Sequence, residues 1–425
     1  MFENRVIFHV DVNAAYLSWE AVYRLRHLGV KEDLRRQVAG VAGDAAMRHG
    51  IILAKSVPAK KYGIRTGESI LEAKRKCPSL ILVPPHYRLY EKASKAFIEI
   101  LKEFSPSVEQ YSIDEAFMDM TGTEFLWSSP REGADMIRER IERELGFTVN
   151  IGISSNKVLA KMVSDFEKPN KVHTLFPEEI MEKLWPLPVS SLFFAGERTR
   201  KKLEGLGIYT IGELARTDPE ILISHLKKQG EVLWAFANGI DNSPIEQEPE
   251  ANKGYGNSLT FPFDVTDAQQ ALLALLGLSE TLGARMRKAQ VRAQVFSVSI
   301  KTWDFRKYSH QKKFLDPTDL TGEIYGRVSL LFHQLWKGEP IRHLGIHGSC
   351  LTGKGTPVQE SFFQGKEYEK RRKAELAVDR IRRRYGADAV KRAVFLNTSV
   401  DHMSGGISRE KRKVVYTLAG EEEQK

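Results

Sequence analysis

Three acidic side chains stand where predicted strands end or turn, and such positions hold carboxylates rigidly. Asp11 closes an apolar run that begins at Arg5, and Asp114 and Glu115 lie in a turn between two later strand patterns, within YSIDEAFMDM. Two divalent ions about 3.5–4 Å apart can drive in-line displacement at phosphorus, and Mg²⁺ prefers oxygen ligands while keeping several waters. Asp11, Asp114 and Glu115 could therefore bind two Mg²⁺ ions.

Each of these acids also has an ordinary structural explanation. Asp11 or Asn13 could cap the helix that follows the first strand, because short polar side chains accept hydrogen bonds from the first helical N–H groups. An Asp-Glu pair in a turn is common on protein surfaces. The spacing of the acids leaves both interpretations open, so the neighbouring residues have to decide between them.

Residues around the acids add a place for phosphates. A helix beginning near Ala14 would point the backbone N–H groups of Ala14, Ala15 and Tyr16 towards the acids, and the positive end of a helix binds phosphate. Lys60 and Lys168 offer compact ammonium groups for the same phosphates. Because surface lysines are more often only solvated, their assignment depends on further context.

The acids need a rigid platform, and the hydrophobic pattern predicts one. Arg5–Val12 is predicted as a buried strand, and the spacing of Tyr16, Trp19 and Tyr23 predicts a helix after it. The later elements follow in order: an insertion from about 30 to 80, a helix over 87–104, two strands flanking the second acidic segment, a helix over 131–145, a strand over 148–154 and a final helix. This order predicts a ferredoxin-like split βαβ sheet with helices on one face.

The remainder of the chain predicts further domains. Beyond residue 170 the pattern turns helical, with two short helices joined through Gly205 and Gly207. The polar, proline-containing stretch 241–256 is typical of a linker. A small α+β domain follows, and about the last 70 residues are strongly charged. The fold class is therefore predicted to be α+β and multidomain.

Composition limits the classes of protein to consider. The 425 residues are 42% hydrophobic and 28% charged, which fits a soluble globular protein of two to four domains. No run of about 18 apolar residues predicts a membrane span. Two cysteines outside any Cys/His cluster argue against disulfides and structural zinc, and favour the cytoplasm. The net charge of +9 suits a polyanionic partner such as nucleic acid.

At this point the residues resemble a known family, the Y-family DNA polymerases, most closely bacterial DNA polymerase IV and UmuC-like proteins. The resemblance covers about the first 350 residues and rests on five collinear segments. They are HVDVNAAYLSWE, the finger segments GVAGDAAMRHGIILAKS and AKKYGIRTG, YSIDEAF, GISSNKVLAKMVSDFEKPN, and the pair GNSLTFPFDV and IRHLGIHGSCL. One such motif would carry little weight, whereas five in the expected order carry a great deal.

The resemblance implies a right-hand polymerase that performs low-fidelity translesion synthesis from dNTPs on primer-template DNA, without a proofreading exonuclease. Its expected parts are a palm (1–30 and 80–166), fingers (31–79), a thumb (167–240), a linker (241–255), a little finger (256–353) and a charged tail (354–425).

The resemblance also implies roles for single residues. Two Mg²⁺ ions would be bound by Asp11, Asp114, Glu115 and the carbonyl of Val12. Tyr16 falls where the family carries its steric gate against a 2′-hydroxyl. The alternative for Tyr16 is a core aromatic residue on an amphipathic helix.

The chain departs from the family at several positions. Val57 and Lys60 stand where many relatives have Tyr and Arg, and lysine lacks the planar fork that grips two phosphate oxygens. Ala14 and Ala15 replace larger residues beside the gate. In the thumb, FFAGERTRKKLEGLGIYTIGELA is similar to a helix-hairpin-helix, but Phe194 replaces its first glycine, so phosphate binding and simple helix packing both stay open.

Beyond the little finger, the segment QESFF resembles the peptide that docks into the bacterial sliding clamp. Gln359 would make its polar contact, and Phe362 and Phe363 would fill a hydrophobic pocket. We further expect a monomer with no membrane partner. Two other classes stay open: a catalytically silent DNA-binding member of the family, and another two-metal nucleotidyl enzyme such as a cyclase.

Overall fold

The computed structural model describes residues 5–44, 50–247, 251–353, 365–396, 398 and 400–405. Contacts divide the chain into two compact units. The first is drawn from Met1–Val41, Ile52–Glu68 and Glu72–Pro249, and the second from Ala42–Ile51, Ser69–Leu71 and Glu250–Lys425. Within the described residues, no helix combines the length and the apolar character needed to cross a membrane.

The chain forms alternating strands and helices as far as residue 174 and then four short α-helices. In chain order these elements are β1 (Ile7–Val12), α1 (Ala15–His27), β2 (Ala39–Ala42), β3 (Ile52–Lys55), α2 (Val57–Lys61), α3 (Ile70–Lys76), β4 (Ile81–Val83), α4 (Tyr87–Phe104), β5 (Val108–Gln110), β6 (Glu115–Asp119), α5 (Pro130–Leu145), β7 (Val149–Ser154), α6 (Lys157–Ser164), β8 (Val172–Thr174), α7 (Glu197–Gly205), α8 (Ile211–Arg216), α9 (Pro219–Leu226) and α10 (Lys228–Ala237).

The second part of the chain contains long strands and long helices. They are β9 (Gly254–Val265), α11 (Ala268–Lys288), β10 (Val291–Thr302), β11 (Lys307–Thr318), α12 (Thr321–Leu335), β12 (Ile341–Gly353) and α13 (Gly365–Tyr385). Single turns of other helix types occur at Glu124–Leu126, Pro177–Glu179, Ile180–Leu184, Val189–Ser191, Ala387–Ala389 and Ala393–Phe395.

The central sheet of the first unit has the order β5-β6-β1-β7-β8. Strand β1 pairs antiparallel with both β6 and β7, so it occupies the middle of the sheet and all six of its residues are buried. Phe8, Val10 and Val12 face a core that also contains side chains from α4 and α5, and full burial of each contributes about 1.5–3 kcal/mol. The predicted split βαβ sheet, with β1 beside the second acidic segment, is confirmed.

Helix α6 corrects one detail of the predicted fold, because it packs on the opposite face of the sheet from α4 and α5. Ile7, on the second face of β1, clusters with Phe117 and with Ala160 of α6. Gly152 of β7 permits this close approach, because a Cβ there would lie 2.0 Å from the carbonyl oxygen of Ala160. The expectation of helices on one face therefore holds only for α4 and α5.

Smaller elements complete the first unit. Residues 31–79, the predicted fingers, contribute β2 and β3 to a three-stranded sheet of order β3-β2-β4, and the Ser56 hydroxyl accepts a hydrogen bond from the Ala59 amide to cap α2. Helices α7 to α10 share a separate apolar core with residues of α6, including Leu159, Leu203 and Leu233. Helix α7 ends at Gly205 and α8 begins at Ile211, as the two glycines predict.

The first half of the predicted linker is attached to the first unit rather than free. The amide of Glu246 donates to Glu109 at 2.7 Å, and Lys157 donates to the carbonyl of Pro244 at 3.2 Å. Ile245 packs against the cluster that contains Ile7. Proline and polar composition predicts an irregular segment here, but it carries no information about these long-range contacts.

The second unit is a four-stranded antiparallel sheet of order β11-β10-β12-β9 with helices against it. Phe296, Val298 and Ile300 of β10 point into a core shared with α11 and α12. Helix α13 is attached through buried charges: the Arg287 side chain is 2% exposed and bonds to Glu375 and Asp379. Sequence analysis predicts only a charged face for this helix.

Candidate active site

The register between β1 and β6 brings two of the predicted acids together. Asp11 and Glu115 are directly opposite each other across the antiparallel pair, so their side chains lie on the same face of the sheet. Asp114 immediately precedes β6, and its carbonyl accepts a hydrogen bond from the Val12 amide at 3.0 Å. The prediction that the three acids come from neighbouring strands is therefore matched by the backbone.

Asp11 is buried and paired with a lysine from a distant loop. Lys168 Nζ donates to Asp11 and also lies 2.7 Å from Asp165. Burial raises the pKa of Asp11 to about 7, although the neighbouring Lys168 opposes this shift. Burial lowers the pKa of Lys168, but the pairing with Asp11 and Asp165 outweighs it and the net shift is upward.

Glu115 has a different environment because two basic side chains face it. Lys161 Nζ lies 2.8 Å from its carboxylate, and His9 Nε2 lies 3.8 Å away, too far for a hydrogen bond. Burial alone would raise the pKa of Glu115, but His9 and Lys161 hold it at about 2. Burial also lowers the pKa of His9. Glu115 is thus ionised at neutral pH, whereas the pKa of Asp11 lies close to neutral pH even with Lys168 beside it.

Asp114 and Tyr16 form the next part of the site. The Ser112 hydroxyl donates to Asp114 at 2.7 Å. Burial, and after it the charge of Asp114, raises the pKa of Tyr16. The Tyr16 ring is stacked on Tyr90 with centroids 4.5 Å apart, and the Tyr90 hydroxyl is fixed by a 2.8 Å hydrogen bond to buried Glu20. Tyr16 is therefore a half-buried aromatic residue beside the acids, and its stacking on Tyr90 fixes the orientation of its ring.

A pair of buried amides holds the loop that carries Lys168. Asn13 at the end of β1 donates to Asn150 of β7 at 3.1 Å. The Asn13 side-chain oxygen accepts from the Asn170 amide at 2.9 Å, and the Asn150 side chain donates to the Glu167 carbonyl at 2.7 Å. Asn13 therefore serves the loop rather than capping α1, and its contacts fix the position of Lys168 beside Asp11.

The start of α1 fits the predicted phosphate position. Ala14 has φ 49° and no side chain caps the helix, so the first N–H groups are not covered by a capping side chain. Such uncapped groups are available to an anion. Ala15 is the first helical residue and Tyr16 the second.

Two finger lysines lie near each other. Lys60 is exposed on α2, and Val57 is exposed at the start of the same helix. Burial lowers the pKa of Lys55, and the charge of Lys60 lowers it further. Lys55 Nζ also donates to Thr66 at 3.2 Å. Sequence analysis missed Lys55, although a second lysine five residues from Lys60 was a usable signal.

Lys161 and His9 were missed as well. Lys157 and Lys161 stand four residues apart on α6, a spacing that places both on one helix face. Lys157 contacts Glu109 at 2.7 Å, as Lys161 contacts Glu115. The four-residue spacing of the two lysines can be read from the sequence, but the acidic residues that they contact cannot.

The donor set suits a hard divalent cation, because it consists of carboxylate oxygens in a partly buried, anionic place. Across the described ranges, no group of three or more His, Cys, Asp or Glu side chains stands positioned to hold a metal ion. Lys168 and Lys161 instead contribute the positive charge next to Asp11 and Glu115. The oxygen donors and the register of β1 and β6 are therefore suited to a divalent cation. In the structure, Lys168 and Lys161 balance the charge of the carboxylates.

The hairpin before α7 retains an unusual backbone. Phe194 has φ +67°, the left-handed region that favours glycine, and Gly196 caps α7. The Phe194 ring is 54% exposed and lies 4.1 Å from Phe193. Phe194 thus adopts the left-handed backbone conformation that a glycine would favour at this position. The predicted clamp residues Gln359, Phe362 and Phe363 lie outside the described residues.

Comparison with known proteins adds two family matches. Residues 10–165 match the impB/mucB/samB family, and residues 252–362 match the impB/mucB/samB family C-terminal domain.

Whole-chain relatives are also similar. The chain is 45% identical to DNA polymerase IV of Clostridium acetobutylicum, over 92% of this chain and 98% of that protein. It is 34% identical to DNA polymerase IV 1 of Bacillus subtilis, over 95% of this chain and 96% of that protein. A solved Y-family DNA polymerase chimera matches with a TM-score of 0.69 over 82% of this chain and 100% of that chain. Its 21% identity makes it a likeness of fold.

Proposed function

The chain belongs to the impB/mucB/samB family of Y-family DNA polymerases, and on this premise we propose how its residues perform template-directed DNA synthesis. It is a DNA-directed DNA polymerase of the translesion type, as its relatives are DNA polymerase IV proteins. The expected substrates are primer-template DNA and dNTPs. The observation that carries the residue assignment is the opposition of Asp11 and Glu115 across β1 and β6, with Asp114 bonded through its carbonyl to Val12.

Divalent metal use follows from the family, and Asp11, Asp114, Glu115 and the Val12 carbonyl would hold two Mg²⁺ ions. When bound, such ions favour the ionised primer hydroxyl and neutralise the triphosphate. The chain itself contributes carboxylates in fixed positions. Asp11 is fixed in the central strand, and Glu115 stays ionised because Lys161 lies 2.8 Å from it.

The lysine beside Asp11 has a second use in this proposal. Lys168 neutralises Asp11 and is long enough to turn its ammonium towards the triphosphate when a nucleotide enters. The uncapped N–H groups of Ala14, Ala15 and Tyr16 would bind the same phosphates. Lys60, with Lys55 nearby, would contact the phosphates from the finger side.

Tyr16 would act as the sugar gate. Its ring cannot easily retreat, because Tyr90 stacks on it at 4.5 Å and is itself held by Glu20. A rigid ring excludes a 2′-hydroxyl more strictly than a mobile one. Gln359, Phe362 and Phe363 would bind the sliding clamp, and we propose that the enzyme acts as a cytoplasmic monomer.

Primer extension tests the assignment most directly. Asp114→Asn should abolish extension by the purified full chain while leaving its thermal unfolding unchanged. Asp135→Asn is a matched control, because Asp135 lies on α5 and pairs with neighbouring arginines of that helix. Extension by Asp114→Asn at wild-type rates would refute the metal-ligand role.

Two alternatives predict other outcomes of the same assay. A catalytically silent family member would bind primer-template without extending it. A different two-metal nucleotidyl enzyme would consume a nucleoside triphosphate without needing a primer. The family matches over both 10–165 and 252–362 favour the polymerase, since the second match covers a domain that a cyclase does not need.

A further inference from the structure

The turn between β10 and β11 presents aromatic side chains to solvent. Trp303 and Phe305 are each 57% exposed, and Tyr308 is 38% exposed at the start of β11. We call Trp303, Phe305 and Tyr308 the aromatic tip. Other aromatic residues of the second unit, such as Phe296 and Phe332, are instead fully buried in its core. Exposed aromatic area held at the end of a hairpin calls for a partner.

The backbone holds this tip in a defined shape. The Trp303 amide donates to the Pro340 carbonyl at 3.1 Å, and the Phe305 amide donates to Thr302 at 3.0 Å. The Thr302 hydroxyl also donates to Asp304 at 2.5 Å. Phe305 has φ +69°, which is rare for an aromatic residue and is maintained only because these contacts fix the turn. The rings are therefore presented outward by a fixed turn rather than by a loose loop.

Positive charge surrounds the rings. Lys301 Nζ lies 4.4 Å from the centre of the Phe305 ring, and the Arg342 guanidinium lies 4.8 Å from it. Asp304 is the nearest acid in the turn, and its carboxylate is paired with Arg306 at 2.5 Å. Lys307 adds a further exposed ammonium group. Exposed rings flanked by cations suit a partner that has both flat apolar faces and negative charge.

Single-stranded DNA has this combination. Proteins bind it by stacking its bases on aromatic rings while cations contact its backbone. In a duplex the base faces are already stacked on each other, so a duplex offers phosphates but no free faces.

We propose that the aromatic tip binds unpaired template bases, with Trp303 and Phe305 stacking on bases and Lys301 and Arg342 contacting phosphates. This deepens the proposed function and rests on it for the identity of the strand, since a polymerase substrate includes unpaired template. Binding to a single strand needs neither metal nor dNTP, so it can be tested apart from catalysis.

The test is equilibrium binding of a fluorescein-labelled 16-nucleotide oligothymidine to the full chain, followed by anisotropy. A blunt 16-base-pair duplex serves as the second probe. The variants are Trp303→Ala/Phe305→Ala and the conservative Trp303→Phe. Tyr385→Ala is the matched control, because Tyr385 is an exposed aromatic of α13 with Arg384 over its ring at 5.3 Å.

The double variant should bind oligothymidine about five- to thirtyfold more weakly, the effect of losing one or two stacked bases at the lower end of their range. Its affinity for the blunt duplex should stay within twofold of the wild type, and Trp303→Phe should retain most of the single-strand affinity. Thermal unfolding shows whether each variant is folded.

Three outcomes would overturn the proposal: unchanged oligothymidine binding by the double variant, an equal loss on the duplex, or an equal loss in Tyr385→Ala. Primer extension separates this proposal from the function itself. A wild-type chain that fails to extend primers but binds oligothymidine through the tip would contradict the polymerase mechanism and still support the tip. Normal primer extension, together with oligothymidine binding that does not depend on the aromatic tip, would support the polymerase mechanism and contradict the proposed role of the tip.

Discussion

Replacing Arg287 with methionine removes one of the charges that attach α13 to the rest of the second unit, beside the pairs Arg372–Asp319 and Arg382–Glu280. The Arg287 guanidinium donates to Asp379 at 2.6 and 3.1 Å and to the Asp319 carbonyl at 2.7 Å, and it also bonds to Glu375. With the side chain only 2% exposed, methionine can occupy the same space but satisfies none of these acceptors.

The magnitude follows from what is left behind. Removing one partner of a buried ion pair costs about 3–5 kcal/mol, because the remaining charge is uncompensated. Glu375 keeps hydrogen bonds from the Thr321 amide and hydroxyl at 2.9–3.0 Å, whereas Asp379 loses its charged partner. We therefore expect the lower end, about 3 kcal/mol, which corresponds to an increase of roughly 150-fold in the opening equilibrium of α13.

Amide hydrogen exchange measures that opening in the full chain. Exchange of α13 amides in Arg287→Met should accelerate by about two orders of magnitude, while β1 amides in the first unit stay unchanged. Arg371→Met is the control, since Arg371 is 62% exposed and forms a surface pair with Glu367 on the same helix, so an effect of about 0.5 kcal/mol or less is expected. Acceleration below about fivefold in Arg287→Met would refute the idea that this charge cluster holds α13.

Three further predictions concern the active site. Because the pKa of Asp11 is raised to about 7, its carboxylate is charged above that pH and protonated below it, so Mg²⁺ affinity should fall on the order of tenfold from pH 8 to pH 6; affinity that does not vary with pH would contradict this. Tyr16→Ala should admit ribonucleotides, and an unchanged ratio of dNTP to NTP incorporation would remove its role as gate. Asn150→Leu should raise KM for dNTP about tenfold, because it releases the loop that carries Lys168. Adding Lys168→Met to this variant should raise KM little further. Additive effects of the two substitutions would show that the two residues act separately.

Local patterns were enough to predict the elements that carry the acids. The helices predicted over 87–104 and 131–145 are α4 and α5, and Ser129 caps α5 just before Pro130, because capping and helical period are set by neighbouring residues. Strand β1 was predicted from its apolar run, and its end places Asp11 in the site. Sequence analysis also assigned Lys168 to this site, but as a contact for phosphates and not as the partner of Asp11 that the structure shows.

Partners of the buried charges could not be predicted. The pairs Lys161–Glu115 and Arg287–Asp379 join residues that are 46 and 92 positions apart, and no local period encodes such a distance. The position of α6 was wrong for a related reason: nearly every residue of that helix is buried, so its pattern does not show which face of the sheet it covers. The close approach depends on Gly152, whose importance is visible only from the opposing carbonyl.

The buried amides Asn13 and Asn150 have a consequence for how the site responds to its surroundings. Neither side chain ionises, and their partners are backbone groups, the Thr148 hydroxyl and each other. Changes of pH or salt that alter the charge on Asp11 therefore leave these amide contacts untouched. The position of Lys168 and the strength of its ion pair with Asp11 are therefore controlled by different groups. The uncharged amides fix the position of the lysine, whereas protonation of Asp11 and dissolved salt set the strength of the ion pair.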